Sequence, residues 1–191
     1  HNAPKVGVVP QEWRSVGHSH TGVAYECFLD ELAHAGGRDP FDVRQHLARD
    51  HARMSRVLGV LREKSGWDAP LSEGRGRGVA ARIYSVTPIA QVAEVSVDGD
   101  GGYRVERVVC VVDCGFAVNP LNIEAQIQGG VAMGLSAVAM EEVVLEQGRV
   151  RQSNYHDYPV LRIQQMPRVE VHILDSGELP TGVGEQALAP T

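Results

Sequence analysis

No apolar run in this 191-residue chain approaches the roughly 20 residues needed to cross a bilayer, and no basic stretch followed by an apolar one opens the N-terminus. A membrane span within this segment is therefore excluded. The chain begins at His1 rather than Met and stops at Thr191, directly after a segment punctuated by Gly and Pro. It is expected to be a cut from a longer polypeptide, so localisation, bacterial cytoplasm or periplasm, stays open. Clustered cations are scarce too: 18 Lys and Arg stand against 24 Asp and Glu, giving a net charge of -6. That balance argues against nucleic acid, whose phosphates require Lys and Arg gathered on one face. The basic cluster Arg75-Gly-Arg77 reads as a solvated loop.

Only three cysteines occur. Cys27 lies in an apolar helical pattern, where a small buried thiol is expected, and Cys110 and Cys114 lie in a strand-like run without a second Cys or His pair in zinc register. No direct metal ligand is assigned, iron–sulfur cysteine spacing is absent, and a reducing compartment is mildly favoured. A Gly-x-Ser-x-Gly elbow, a His-Glu-x-x-His pair, a supported Ser-x-x-Lys, a dinucleotide fingerprint and a P-loop are likewise missing.

What is present is ordinary globular composition, 43% hydrophobic and 22% charged. Ala24, Cys27, Phe28 and Leu32 recur at helical spacing from Val23 to Ala35, and Gly36-Gly37 ends the pattern. Asp39-Pro40 offers an N-cap and first helical position for a second helix through Phe41, Val43 and Leu47, continuing through Met54, Val57, Leu58 and Leu61 to Ser65-Gly66. Leu71 to Gly78 is a glycine-rich break. Period two then predicts a strand over Gln91 to Val97, and valine richness a second over Tyr103 to Asp113, with Arg104, Glu106 and Arg107 among its polar positions, joined by the turn Asp98 to Gly102. Asn119-Pro120 closes the second strand, Asn122 or a neighbour caps, and Ile123 to Val138 reads as a buried helix. A small hairpin around Gln147-Gly148, a strand from Val169 to Leu174, and loop from Asp175 to Thr191 complete an α+β fold. The helical part runs to about residue 70 and the strand-rich part from about residue 79.

Three places could carry chemistry. Gly182-Val-Gly184 before Glu185 puts side-chain-free backbone beside a carboxylate, where a bulky ligand can approach; spacing alone leans to a glycine turn with an exposed Glu. Gly129, Gly130 and Gly134, near Gln126 and Gln128, suggest a helix start facing an anion or close helix packing on a sheet, and packing is preferred. His18-Ser-His20 has no third metal ligand in register and reads as solvated turn histidines.

Taken in order, several segments resemble the molybdenum-binding large subunit of the xanthine dehydrogenase and aldehyde oxidase family, above all the isoquinoline 1-oxidoreductase branch of its beta chains. They are Trp13 to His20, Tyr25 to Ala33, Gly37 to Arg44, Gln91 to Val97, Val109 to Pro120, Gln126 to Gly130, Ser153 to Pro159 and Gly182 to Glu185. The resemblance covers nearly the whole chain, residues 1–191, as the C-terminal portion of a molybdopterin-binding domain of aldehyde oxidase type, truncated at both ends. It implies a molybdopterin cofactor with molybdenum, in the cytosine dinucleotide form of most bacterial members. It further implies hydroxylation of an electron-poor carbon with oxygen from water. Glu185 matches the family's base, and Gln126 the glutamine that contacts the pterin, followed by Gly129 and Gly130 as close-approach backbone. Arg14, Ser15 and Gly17, with Gly184, are implied on the cofactor side; Val16, with Trp13 and His18 nearby, is implied at the substrate pocket.

The implied partners are a heteroaromatic or aldehyde substrate, a small subunit carrying iron–sulfur clusters, and an electron acceptor such as a cytochrome. A paralogue that keeps the fold without activity is the alternative from another class. The family commonly has proline after the glutamate, whereas Gln186 follows here, so the loop is expected to be less rigid or to hydrogen-bond differently.

Overall fold

Helix formation starts earlier than the apolar periodicity implies. In the computed structural model, which describes residues 11–191, helix α1 spans Gly17–Ala35. The part of the helical expectation that falls on residues 1–10 lies outside the described residues. His18 and His20 therefore belong to the first turn of α1 rather than to a turn between elements, with His18 half-buried and His20 exposed as expected. The helix ends as expected at Gly36, and Gly37 takes the left-handed conformation with φ 62°.

The apolar stripe on α1 does not face the core. Phe28 and Leu32 are exposed, as is Cys27, which corrects the expectation of a buried thiol. The buried stripe carries Gly22, Glu26 and Ala33 instead. Its anchor is an ion pair, with Arg44 Nη2 2.8 Å from Glu26 Oε2 and Arg44 Nη1 2.6 Å from Asp30 Oδ1. Burial pushes the Glu26 carboxyl above its ordinary range, against the opposing pull of Arg44.

Asp39 caps helix α2, Pro40–Leu47, accepting from the Phe41 N–H at 2.7 Å and the Asp42 N–H at 3.1 Å. The single helix expected through Leu61 is in fact two, because α3, Ala52–Ser65, starts anew. His51 supplies the reason: its Nδ1 accepts from the Met54 N–H at 3.2 Å, while its own N–H and Ser55 Oγ both donate to the Ala48 carbonyl. These local bonds replace the helical ladder at the break and let Phe41, Met54, Val57, Leu58 and Leu61 share one core with Trp67.

Strand β1, Arg75–Tyr84, begins inside what reads from sequence as a glycine-rich break. It pairs antiparallel with β2, Thr87–Val97, from Arg75 opposite Ser96 to Tyr84 opposite Thr87. Gly76 serves close approach, since a Cβ there would lie 3.3 Å from a Val95 methyl. Arg77 is correspondingly no solvated loop residue: its guanidinium donates to the carbonyls of Gly66 and Ala69 and lies over the Trp67 ring.

The Asp98 carboxylate accepts from the N–H groups of Asp100 and Gly102 and closes the turn into β3, Tyr103–Asp113. The sheet order is β1-β2-β3-β6, where β6, Arg168–Leu174, runs parallel to β3. The small hairpin of β4, Leu145–Glu146, and β5, Arg149–Val150, stands apart from this sheet.

Helix α4, Pro120–Ala139, covers the sheet face opposite α3, and its N-cap is Asn119, whose Oδ1 accepts from the Asn122 N–H at 3.1 Å. Val109 and Val111 of β3 point to the α3 side, whereas Val108, Cys110 and Val112 point to the α4 side, and all five have 0% exposure. A strand buried on both faces explains the unbroken apolar run Val108 to Val112. At roughly 1.5–3 kcal/mol per fully buried large aliphatic side chain, this strand is the main hydrophobic anchor of the fold. The α+β architecture expected from sequence is the one observed.

Candidate active site

Residues 175–191 contain no helix or strand, yet Ala187, Leu188 and Ala189 are buried. Glycines make room for them. A Cβ on Gly22 of α1 would lie 2.7 Å from the Ala189 carbonyl oxygen, one on Gly130 of α4 2.8 Å from Ala187 Cβ, and one on Gly134 3.0 Å from the Leu188 carbonyl oxygen. Gly130 and Gly134 thus serve close packing, but against the C-terminal segment rather than the sheet. They also lie mid-helix, where their N–H groups close the helical ladder, and not at a helix start. Gln91 Nε2 donates to the Ala187 carbonyl at 2.8 Å, and Thr191 Oγ1 donates to Gln91 Oε1 at 2.9 Å. An irregular segment is thereby fixed, and Glu185 stands at its start.

Two further segments converge on Glu185. In the loop before α1, Ser15 and Val16 adopt φ of 71° and 46°, left-handed values rare for residues other than glycine and most unfavourable for a β-branched one. This bend turns the Ser15 N–H onto Glu185 Oε1 at 3.2 Å, and the buried Ser15 hydroxyl donates to the Glu185 carbonyl. The β1–β2 hairpin closes through Ser85 and Val86, both again at positive φ, 46° and 65°. A two-residue turn of this kind ordinarily uses Asn-Gly. It brings the Tyr84 hydroxyl to Glu185 Oε2 at 2.9 Å and the Thr87 hydroxyl to Thr181 Oγ1 and the Gly182 carbonyl at 2.7 and 2.9 Å.

Donation to the Glu185 carboxylate, then desolvation, holds the Tyr84 phenol above its ordinary value of 10.0. The His18 ring packs edge-on against Tyr84 at 4.5 Å, and Arg82 Nη2 donates to His18 Nδ1 at 3.2 Å. Burial, then the Arg82 charge, lowers the His18 pKa, so this imidazole is neutral at physiological pH.

Arg14 joins the two glycine-lined places. Its Nε donates to the Gly184 carbonyl at 2.6 Å, and its Nη2 to the Gln126 carbonyl and Oε1 at 3.1 and 3.2 Å. The Gln126 oxygens are thereby occupied, which leaves the Nε2 amide hydrogens as that side chain's donors. Gln186 bonds differently from a proline, as expected: its Oε1 accepts from the Glu185 N–H at 3.0 Å, and it is 3% exposed.

Of the residues singled out from sequence, the structure gathers Arg14, Ser15, Gln126, Gly129, Gly184 and Glu185, with His18 attached through Tyr84. Trp13 and Val16 stand exposed on the same loop, Gly17 opens α1, and Gly130 faces Ala187 instead of the cluster. Tyr84 and Thr87 escaped notice. Neither belongs to a motif, and Tyr84 lies 101 residues from its partner.

Residues 30–167 match the family described as molybdopterin cofactor-binding domain. The chain belongs to this family. It is 33% identical over 179 residues to the beta subunit of isoquinoline 1-oxidoreductase from Brevundimonas diminuta, a match that spans 92% of this chain and 23% of that protein. It is 32% identical to a nicotinate dehydrogenase subunit from Pseudomonas putida, over 96% of this chain and 17% of that protein. The chain thus spans about a quarter or less of the length of these curated relatives. The fold is that of the aldehyde oxidoreductase from Desulfovibrio gigas, with a TM-score of 0.69, 13% identity, and coverage of 96% of this chain and 38% of that one. The resemblance read from the sequence segments is borne out by the family match and by the two relatives.

The cluster fits a ligand that carries hydrogen-bond acceptors, as a pterin does. A Cβ on Gly184 would meet nothing within 4 Å, and one on Gly129 only Arg14 Nη1 at 3.8 Å, so the backbone is open to close approach at both. Gln126 Nε2 and Arg14 Nη1 supply donors beside them. Among the described residues no group of three His, Cys, Asp or Glu side chains is placed to hold a metal ion.

Proposed function

We propose that this chain carries the base and part of the cofactor cradle of a molybdenum-dependent hydroxylase that acts on an electron-poor carbon of an N-heteroaromatic, isoquinoline-like substrate. The observation that supports it best is the setting of Glu185, held at both carboxylate oxygens within one Arg14 span of the open backbone at Gly129 and Gly184. The two relatives named above take their names from isoquinoline and nicotinate, both N-heteroaromatic compounds.

The reaction converts a ring C–H and water into C–OH, two protons and two electrons. When bound, a molybdopterin cofactor, in its cytosine dinucleotide form, supplies the two-electron oxidation and the activation of water. Glu185 takes one proton as the water-derived oxygen bonds to the ring carbon. Each of its carboxylate oxygens accepts one bond from the protein and retains a free lone pair for that proton. Gln126, Gly129 and Arg14 orient the pterin, Gly184 leaves space beside the base, and Val16, Trp13 and His18 border the substrate. Electrons leave for iron–sulfur clusters on a partner subunit and then for an acceptor such as a cytochrome.

Glu185→Gln in the complete enzyme tests the assignment. Molybdenum content is expected to stay unchanged while hydroxylation of isoquinoline or nicotinate falls by about 100-fold or more. A near wild-type rate refutes the base. Labelled water traces the oxygen source, and an aromatic aldehyde in the same panel measures whether the substrate is instead an aldehyde.

A further inference from the structure

Five non-glycine residues among those described have positive φ, and four of them, Ser15, Val16, Ser85 and Val86, flank the two groups that donate to the Glu185 carboxylate. Backbone strain of this kind persists only where the surroundings enforce it. Each strained pair lies in a different segment and neither contains glycine, although a relaxed sequence for such turns is readily available. What the two turns have in common is the carboxylate between them.

We infer that Tyr84, together with the Ser15 backbone N–H, forms a two-point clamp that positions Glu185. The inference rests on the reading of Glu185 as the base and adds to it a positioning residue. Ser15 holds Oε1 and Tyr84 holds Oε2, so rotation about the last side-chain bond of Glu185 breaks both bonds at once. The Ser15 hydroxyl on the Glu185 carbonyl and the Gln186 side chain on the Glu185 N–H fix the backbone of the same residue. Tyr84 is in turn held in place, its ring against His18 and its strand end closed by Thr87, whose hydroxyl bonds the segment just before Glu185.

This buttressing matters because a carboxylate on an irregular loop otherwise samples several rotamers, and displacement of a catalytic group by about 1 Å can cost on the order of 100-fold in rate. The shift of the Tyr84 phenol above its ordinary range, caused first by its bond to Glu185, gives the clamp a spectroscopic signature independent of turnover.

The test uses the complete enzyme carrying Tyr84→Phe, which keeps the ring on His18 and removes only the hydroxyl. Molybdenum content and KM are expected to hold within about twofold while kcat falls about 10- to 100-fold. In a tyrosinate absorbance titration, one tyrosine is expected to ionise at lower pH in Glu185→Gln than in wild type, and that transition is absent from Tyr84→Phe. Should Tyr84→Phe fail to fold, the comparison of wild type with Glu185→Gln decides alone. An unchanged kcat in a folded, loaded Tyr84→Phe overturns the clamp, as does a tyrosine titration indifferent to Glu185→Gln. The base assignment fails separately: Glu185→Gln then keeps its activity, whereas an inert Glu185→Gln beside a fully active Tyr84→Phe removes the clamp alone.

Discussion

Gly129 and Gly130 are neighbours on α4, yet a single added methyl group should act on them in opposite directions. A Cβ on Gly130 would lie 2.8 Å from Ala187 Cβ and 3.4 Å from the Ala187 carbonyl carbon and the Leu188 nitrogen. Non-bonded carbons rest at roughly 3.5–4.0 Å, so the deficit is about 1 Å. Ala187 is fully buried and Leu188 nearly so, and the Ala187 carbonyl is tied to Gln91, so the segment has nowhere to retreat. Overpacking of this degree costs about 1–3 kcal/mol, while Ala in place of Gly in a helix interior returns about 0.5–1 kcal/mol. Gly130→Ala is therefore expected to destabilise by about 0.5–2 kcal/mol. Gly129→Ala meets only Arg14 Nη1 at 3.8 Å, an ordinary contact, and keeps the helix gain of about 0.5–1 kcal/mol.

Hydrogen exchange of residues 186–191 in the cofactor-free protein separates the two locally. Gly130→Ala should speed exchange by up to about 30-fold, because 1.4 kcal/mol is a factor of ten in an opening equilibrium. Gly129→Ala should leave it unchanged or slow it. On the proposed function, Gly129→Ala also lowers molybdenum content despite its stabler helix, because its methyl occupies space left for the pterin. Equal exchange in the two variants would refute the seating of the C-terminal segment on α4, and with it the physical basis for the position of Glu185.

Two further perturbations probe the framework. Asp39 caps α2 and accepts the Trp67 indole N–H at 3.0 Å, so Asp39→Ala should cost about 2 kcal/mol in urea unfolding, with Asn restoring most of it; a loss below about 0.5 kcal/mol would contradict the double role. Burial pushes the Asp113 carboxyl upward, but Arg53, the Ser176 hydroxyl and the Gly115 N–H outweigh it and hold its pKa below the ordinary 3.8. A depressed folded-state pKa contributes stability that is present above 3.8 and lost as pH falls through the folded value. Asp113→Asn should accordingly be less stable than wild type at pH 7, with the gap closing as the medium is acidified below that range. A gap of constant size from neutral to strongly acidic pH would contradict the pairing.

Much of the framework was legible from residue order. Period two marked the second half of β2, valine richness marked β3, the Asp98 to Gly102 turn marked their hairpin, and Asp39-Pro40 and Gly36-Gly37 marked helix ends, because each signal acts over a few neighbouring residues. Glycine was the least legible residue. Gly76 and Gly78 read as a loop and proved to be strand; Gly76 serves the approach of a Val95 methyl from the neighbouring strand, which local sequence does not display. Cys27, Phe28 and Leu32 read as a buried stripe and proved exposed: periodicity says that a face is apolar, while tertiary packing chooses which face is covered.

The candidate site divides in the same way. By itself the sequence determined that Glu185 follows a side-chain-free segment and that Gln126, Gly129 and the Arg14 loop belong beside it through resemblance, all features carried by contiguous residues. Only the tertiary structure decided that Arg14 bridges Gly184 and Gln126, that Tyr84 reaches Glu185 from a strained hairpin, and that the Gln186 side chain accepts from the Glu185 N–H. Hydrogen bonds reach about 3 Å and take no account of separation along the chain, so contacts between residues 101 or 170 positions apart exist only once the sheet and helices have brought their ends together.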